Sequence, residues 1–250
     1  MGDIHGAYRA MQQCFNRCGF NYENDMLIQL GDVADGFDEV YACVEALLAI
    51  KNLVAIKGNH DDWFNGFLQT GFHPMLWAQG AVGTAVSYLK NAGKKPAYVR
   101  SGEGYRTSLS TMDVPLSHHQ FFNRQQLYYI DESNNCFVHA GFKRRLPFKD
   151  QDPFTYYWDR SLWTEALSFQ AGNRGIGNDG TFHMETSFNT VFIGHTHTLN
   201  WKTDQPMHAA NIFNIDTGAG HTGRLTIMEV ETKQFWQSDV VTELYDKSYR

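Results

Sequence analysis

Seven side chains of metal-ligating type are spread along almost the whole chain: Asp3, His5, Asp32, Asn59, His139, His195 and His197. Five of them come just after short apolar runs. Leu30 leads into Gly31-Asp32, and Ile56 leads through Lys57 into Gly58-Asn59-His60-Asp61. Val138 leads into His139-Ala140-Gly141, and Ile193 into Gly194-His195-Thr196-His197. A mixture of carboxylate, amide and imidazole suits Mn2+, Fe or Zn2+ better than Ca2+ or Mg2+, which favour all-oxygen shells. The number of donors exceeds what a single structural zinc needs. Two metals sharing one bridging carboxylate account for the excess. Such a pair activates water and clamps a phosphoryl group.

For donors so far apart in sequence to meet, the apolar runs must be neighbouring strands. The runs at 26–30, 53–56, 136–138, 191–193, 212–215 and 225–228 read as buried strands. Helical patterns lie between the early ones. Residues 7–18 place Ala7, Met11, Cys14 and Cys18 on one face and stop at Gly19, and residues 37–50 align Val40, Val44, Leu47 and Leu48. Strand and helix alternate here, which predicts an α/β fold. In open α/β sheets ligands bind beyond the carboxyl ends of the strands. The donor-bearing turns are therefore expected to converge, with glycines letting the backbone pass close to an ion.

Residues 62–135 are rich in aromatics and amides, with helices expected over 62–77, 80–91 and 115–129. They read as an insertion beside the sheet within a single domain spanning 1–250, the kind of connection that shapes specificity. With 250 residues, 42% hydrophobic and 19% charged, the chain has a globular balance, and disorder is excluded as its main state. There is no apolar run long enough to span a bilayer, and the first residues lack the regions of a signal peptide. A net charge of −6 argues against a general nucleic-acid binder. Four cysteines are too few for a disulfide scaffold and read as reduced core thiols of a cytoplasmic protein. The expected partner is a phosphorylated substrate (phosphoprotein, small phosphomonoester or nucleotide), with no membrane and no stable nucleic-acid partner.

Gly2-Asp3-Ile4-His5-Gly6, Gly31-Asp32-Val33-Ala34-Asp35-Gly36, Gly58-Asn59-His60-Asp61, Val138-His139-Ala140-Gly141 and Gly194-His195-Thr196-His197 together resemble the signature of the calcineurin-like metallophosphoesterases. The text is most similar to the phosphoprotein phosphatase branch, which includes bacteriophage lambda phosphatase and bacterial diadenosine tetraphosphatases. The resemblance implies an αββα sandwich of two mixed β-sheets flanked by helices, with a mainly helical insertion. It implies two divalent ions, Mn2+ first, with Fe or Zn2+ as alternatives. Asp3 and His5 would bind the first metal, Asp32 would bridge, and Asn59, His139 and His195 would bind the second. His197 would complete the first shell, where the lambda-like branch often has proline. His60, oriented by Asp35, would be the general acid, and a hydroxide held between the metals the nucleophile.

The sequence departs from that pattern at three places. The branch normally has arginine after the second and third blocks, where this chain has Gly36-Phe37 and Asp62-Trp63-Phe64. Arg160, in Trp158-Asp159-Arg160, is the remaining candidate for a bidentate phosphate contact. The family also feeds the Asp-x-His block from an apolar strand, whereas Met1 alone precedes Gly2 here. The implied activity is that of a phosphomonoesterase of Ser/Thr protein phosphatase type. The alternatives are a phosphodiesterase or dinucleoside-polyphosphate hydrolase on the same site, and a catalytically silent, metal-depleted binding protein. His73, His118, His119, His183 and His208 are read as lying outside the site, with His118 and His119 on a solvated surface. His221 is a candidate for overhanging the site. Lys143-Arg144-Arg145 reads as a solvated face, and Asp216 as a maker of structural hydrogen bonds.

Overall fold

The computed structural model of the chain describes residues 1–73, 77, 80–101, 104–172 and 188–249. The chain runs through α1 (Tyr8–Cys18), β1 (Met26–Gln29), α2 (Val40–Leu48), β2 (Asn52–Ala55), α3 (Asn59–Thr70) and α4 (Ala81–Asn91). Next come β3 (Tyr98–Ser101), β4 (Gly104–Thr107), α5 (Leu116–Arg124), β5 (Tyr128–Ile130) and β6 (Asn135–Val138). After α6 (Pro153–Trp158), α7 (Ser161–Gln170) and β7 (Thr190–Ile193) come β8 (Met207–Ala209), β9 (Ile212–Asn214), β10 (Thr226–Met228), β11 (Phe235–Gln237) and α8 (Val241–Leu244). The expected strands fall within a residue or two of those read from sequence. Helix α1 stops where Gly19 takes φ 68 and its N–H caps the Phe15 carbonyl, a turn that favours a residue without Cβ.

The strands form two layers. One sheet has the order β5-β6-β7-β9-β8, with β6, β7 and β9 parallel and both edge strands antiparallel. The other layer holds the parallel pair β1–β2 and the antiparallel pair β10–β11. Met1 and Gly2 join these pairs. The Met1 amine donates to Ile28 O at 2.8 Å, Leu30 N–H to Met1 O at 3.0 Å, and Gly2 N–H to Thr226 O at 3.0 Å. Two residues thus occupy the strand position from which Asp3 and His5 emerge. Beyond Met1, an apolar groove of about 780 Å³ lies beside β1 and β10, with Leu27, Phe137, Phe192, Ile227 and Trp236 among its walls.

Three apolar clusters correspond to the three interfaces of an αββα sandwich. Leu30, Val54, Ile56, Phe137, Phe192 and Ile215 pack between the sheets. Helices α1 and α2 bury Met11, Cys14, Val40 and Val44 against the layer of β1–β2 and β10–β11, and α6 and α7 bury Tyr156, Leu162 and Trp163 against the five-stranded sheet. Burial of this apolar area is the main driving force for closing the layers. All four cysteines are free, and Cys14, Cys43 and Cys136 are buried. Among the described residues no helix is long and apolar enough to cross a membrane.

The 62–135 segment differs in detail from its sequence reading. Helix α3 begins earlier and ends at Thr70, because Gly71 at φ 72 caps the Phe67 carbonyl; residues 74–76 of the expected 62–77 helix lie outside the described residues. A β3–β4 hairpin stands where no element was expected. Helix α5 stops at Arg124, because Gln126 leaves to pair beside Ile56. His118 is fully buried rather than solvated: its ring meets Tyr88 Oη at 2.9 Å and Glu45 Oε1 at 2.6 Å. Lys143 and Arg144 are committed to Asp159 and Glu165, so they clamp the loop after β6 to the start of α7.

Candidate functional site

The turns after β1, β2, β6 and β7 converge with the Met1–Gly2 stub on one end of the sandwich, as the strand-end rule predicts. Asp32 lies at the centre. Its Oδ2 is 3.5 Å from His5 Nε2 and 3.5 Å from His139 Nε2. Each of those rings is fixed from behind. His5 Nδ1–H donates to Ala34 O at 3.1 Å, and His139 Nδ1–H donates to Leu30 O at 2.7 Å. A neutral ring whose Nδ1 carries the proton turns its Nε2 lone pair forward. Burial pushes His139 down to about 4, which favours this neutral, ligating form near neutral pH. Two lone pairs thus face one carboxylate oxygen at a spacing too long for a hydrogen bond, an arrangement that a cation between them satisfies.

Two donor clusters share Asp32: His5, Asp32 and His60, and Asp32, His139 and His195, each with its donor atoms within 4.8 Å of one another. Asn59 Oδ1 lies 3.3 Å from His139 Nε2. The donor set of imidazole, carboxylate and amide therefore fits a pair of divalent metals. Asp3 and His197 belong to neither cluster. Asp3 sits against the β7 turn, its Oδ2 accepting the His195 N–H at 3.0 Å. His197 packs against His221 with ring centroids 4.1 Å apart and the planes tilted by 51°, which brings His221 to the rim.

His60 has a carboxylate behind its ring. Its Nδ1 is 2.7 Å from Asp35 Oδ2, both residues being buried. The other Asp35 oxygen accepts Trp77 Nε1–H at 2.9 Å and Thr84 Oγ1–H at 2.7 Å. The 62–135 segment therefore supplies the groups that hold Asp35. Sequence reasoning missed Trp77 and Thr84, because neither stands in a recognisable motif.

Asp61, which the sequence marks with no role, ties two of the turns together. Its Oδ1 accepts the N–H groups of Val33 at 2.9 Å and Ala34 at 3.0 Å. Its Oδ2 accepts Gly58 N–H at 3.2 Å and Gln125 Nε2–H at 2.8 Å. Burial, and then the nearby Asp32 charge, raise its carboxyl to about 6. The turns themselves are conformationally costly. His5, Asp32, Asp35 and His195 all have positive φ, between 49 and 72. Non-glycine residues in that region cost roughly 1–3 kcal/mol each and cluster at functional sites. Close approach also explains two of the glycines: a Cβ on Gly58 would lie 2.1 Å from Asp32 Oδ1, and one on Gly194 would lie 2.0 Å from Asp3 Oδ1.

Arg160 is exposed at the mouth, with Nη1 3.4 Å from Thr196 Oγ1 between the two β7-turn histidines. Asp216 makes structural bonds, accepting Gly218 N–H on Oδ1 at 3.0 Å and Thr198 N–H on its carbonyl at 2.9 Å. Gly36, where the resemblance has arginine, takes φ 79, and a Cβ there would lie 2.7 Å from His5 O. His183 lies outside the described residues.

A family model for the calcineurin-like phosphoesterases matches residues 1–199. Serine/threonine-protein phosphatase 1 of Salmonella typhimurium strain LT2 is 24% identical over 242 residues, covering 92% of this chain and 90% of that protein. Among solved structures, a candidate diadenosine tetraphosphatase superposes with a TM-score of 0.61 at 14% identity, covering 94% of this chain and 90% of that one. The cold-active protein-tyrosine phosphatase of a psychrophile Shewanella sp. superposes at 0.54 with 12% identity, covering 95% and 78%. At such identities these superpositions speak for the fold alone.

Proposed function

The chain belongs to the calcineurin-like phosphoesterase family and is a phosphoester hydrolase, and from that premise we propose that it is a phosphomonoesterase of Ser/Thr protein phosphatase type. The observation that carries this reading is the position of Asp32 Oδ2, equidistant from His5 and His139 and shared by both donor clusters. Asp3, His5, Asp32 and His197 would hold one divalent metal, and Asp32, Asn59, His139 and His195 the other, with Mn2+ ahead of Fe or Zn2+. Bound there, the pair supplies Lewis acidity toward phosphoryl oxygens and lowers the pKa of water. Arg160 contacts the phosphoryl group as a bidentate cation. His60, with Nδ1 tied to Asp35, carries a proton on Nε2 and gives it to the leaving oxygen. The carboxylate favours the charged ring and fixes its orientation. The free cysteines are compatible with a cytoplasmic location.

Gly36 favours a second reading. With a glycine packed against the His5 backbone where the resemblance has arginine, the phosphate clamp is reduced, and a diester or dinucleoside polyphosphate gains room. Turnover of p-nitrophenyl phosphate against bis-p-nitrophenyl phosphate, with Mn2+ and known metal content, decides between them. Faster monoester cleavage supports the phosphomonoesterase; faster diester cleavage replaces it with the second reading. Absence of turnover of both esters, with fewer than two metal ions retained per chain, would leave the silent, metal-depleted binding protein.

A further inference from the structure

A row of aromatic rings leads out of the site beside the proposed acid. Trp63, on α3 just after His60, packs edge-on against the His60 ring with centroids 4.7 Å apart. Trp158, the last residue of α6, lies 5.5 Å from Trp63 and 5.7 Å from the His195 ring. Phe154, one turn earlier on α6, stacks on Trp158 at 5.3 Å and 20°. Trp63 is buried, Trp158 is half-buried, and Phe154 is 50% exposed. The row is held rigidly: Asp152 caps α6 through Phe154 N–H at 2.8 Å, and Ala140 N–H donates to Tyr156 O at 2.9 Å, tying α6 to the His139 turn. Arg160 follows Trp158 by two residues, so a cation stands at the same mouth.

We propose that Trp158 and Phe154 form a subsite for a planar aromatic ring carried on the leaving group of the substrate. The inference rests on the reading of His60 as the acid, because the row starts at the residue that meets the leaving oxygen. Stacking on aromatic side chains accepts any flat π-face. Reach separates two sources of that ring. An aryl ring bonded directly to the ester oxygen extends to Trp158. A nucleobase, displaced outward by its sugar, extends to Phe154.

The test uses the Mn2+-loaded protein with p-nitrophenyl phosphate as reporter. Inhibition by adenosine 5′-monophosphate is compared with ribose 5-phosphate, and inhibition by phenylphosphonate with methylphosphonate. The expected result is about tenfold tighter inhibition by the aromatic member of at least one pair, the scale of stacking on an aromatic side chain. A nucleobase preference falls in both Trp158→Ala and Phe154→Ala. An aryl preference falls in Trp158→Ala and survives Phe154→Ala. Trp158→Phe retains either preference, which separates loss of stacking from a disturbed fold. Equal inhibition within both pairs by the unaltered protein, or a preference that survives both alanine variants, overturns the subsite. If p-nitrophenyl phosphate is not turned over, the phosphatase reading fails on its own. Quenching of tryptophan fluorescence by the same pairs then still decides the subsite.

Discussion

His60 Nδ1 and Asp35 Oδ2 stand 2.7 Å apart across 25 residues of sequence, both out of contact with solvent. A buried carboxylate is tolerated only where its oxygens are satisfied, and Asp35 meets this with donors from His60, Trp77 and Thr84. The helical segment after β2 is thus part of the apparatus that orients the proposed acid.

His60→Asn is expected to lower kcat by about 10² or more while metal content stays unchanged. Steady-state kinetics on metal-quantified protein check this, and full turnover in the variant would remove His60 as the acid. Trp77→Phe keeps an aromatic side chain but deletes the indole N–H that donates to Asp35. A smaller loss is expected, about tenfold or less for one net hydrogen bond, in kcat rather than KM.

Asp61→Asn replaces one carboxylate oxygen, with its two acceptor lone pairs, by an NH2 group facing the donors of Gly58 and Gln125. With two buried donors left unmet, stability should drop by roughly 2–4 kcal/mol. Urea unfolding of metal-free protein measures this. An unchanged midpoint would show that the clasp between the β1 and β2 turns is dispensable.

Gly58→Ala forces a methyl group to within 2.3 Å of the Asp32 backbone nitrogen and 2.1 Å of its carboxylate. The turn must shift, so bound metal should fall well below two ions per chain while the circular dichroism spectrum persists. Asp32→Asn should lose both ions. A variant of Asp32 with full metal content would mean that the bridge is elsewhere.

Arg160→Ala should raise KM for phosphorylated substrates with metal loading intact, since the Arg160 side chain is exposed and its guanidinium meets Thr196 Oγ1 at 3.4 Å. Wild-type KM would place the phosphate clamp on another group.

His118 titrates below its usual 6.5 because burial disfavours the charged ring, against the opposing pull of Glu45. Below 6.5 the unfolded chain takes up the proton before the folded one does. Stability therefore rises with pH through the window under 6.5 and is lost as pH falls through it. Thermal melts at pH 7 and below should show this slope, and His118→Gln should lessen it, with buried His139 contributing the same sign.

The donors were legible in sequence because metal chemistry restricts residue type, and because apolar runs ending at glycine turns announce strand ends. Asp32, Asn59, His139 and His195 could be named as one constellation before any coordinates, as could the α/β layering and the helix stop at Gly19. Side-chain partnerships between distant segments could not. That Trp77 and Thr84 reach Asp35, that Asp61 clasps the β1 and β2 turns, and that His118 is buried on Tyr88 and Glu45 all depend on how the segment after β2 folds back. Its helices have no motif to mark their docking face. The positive φ of His5, Asp32, Asp35 and His195 was equally hidden, since local preference disfavours it and only the surrounding packing and hydrogen bonds hold it in place. Sequence determined which atoms can take part in the chemistry; the tertiary structure decided which of them face one another, because orientation is set by long-range contacts that no local pattern encodes.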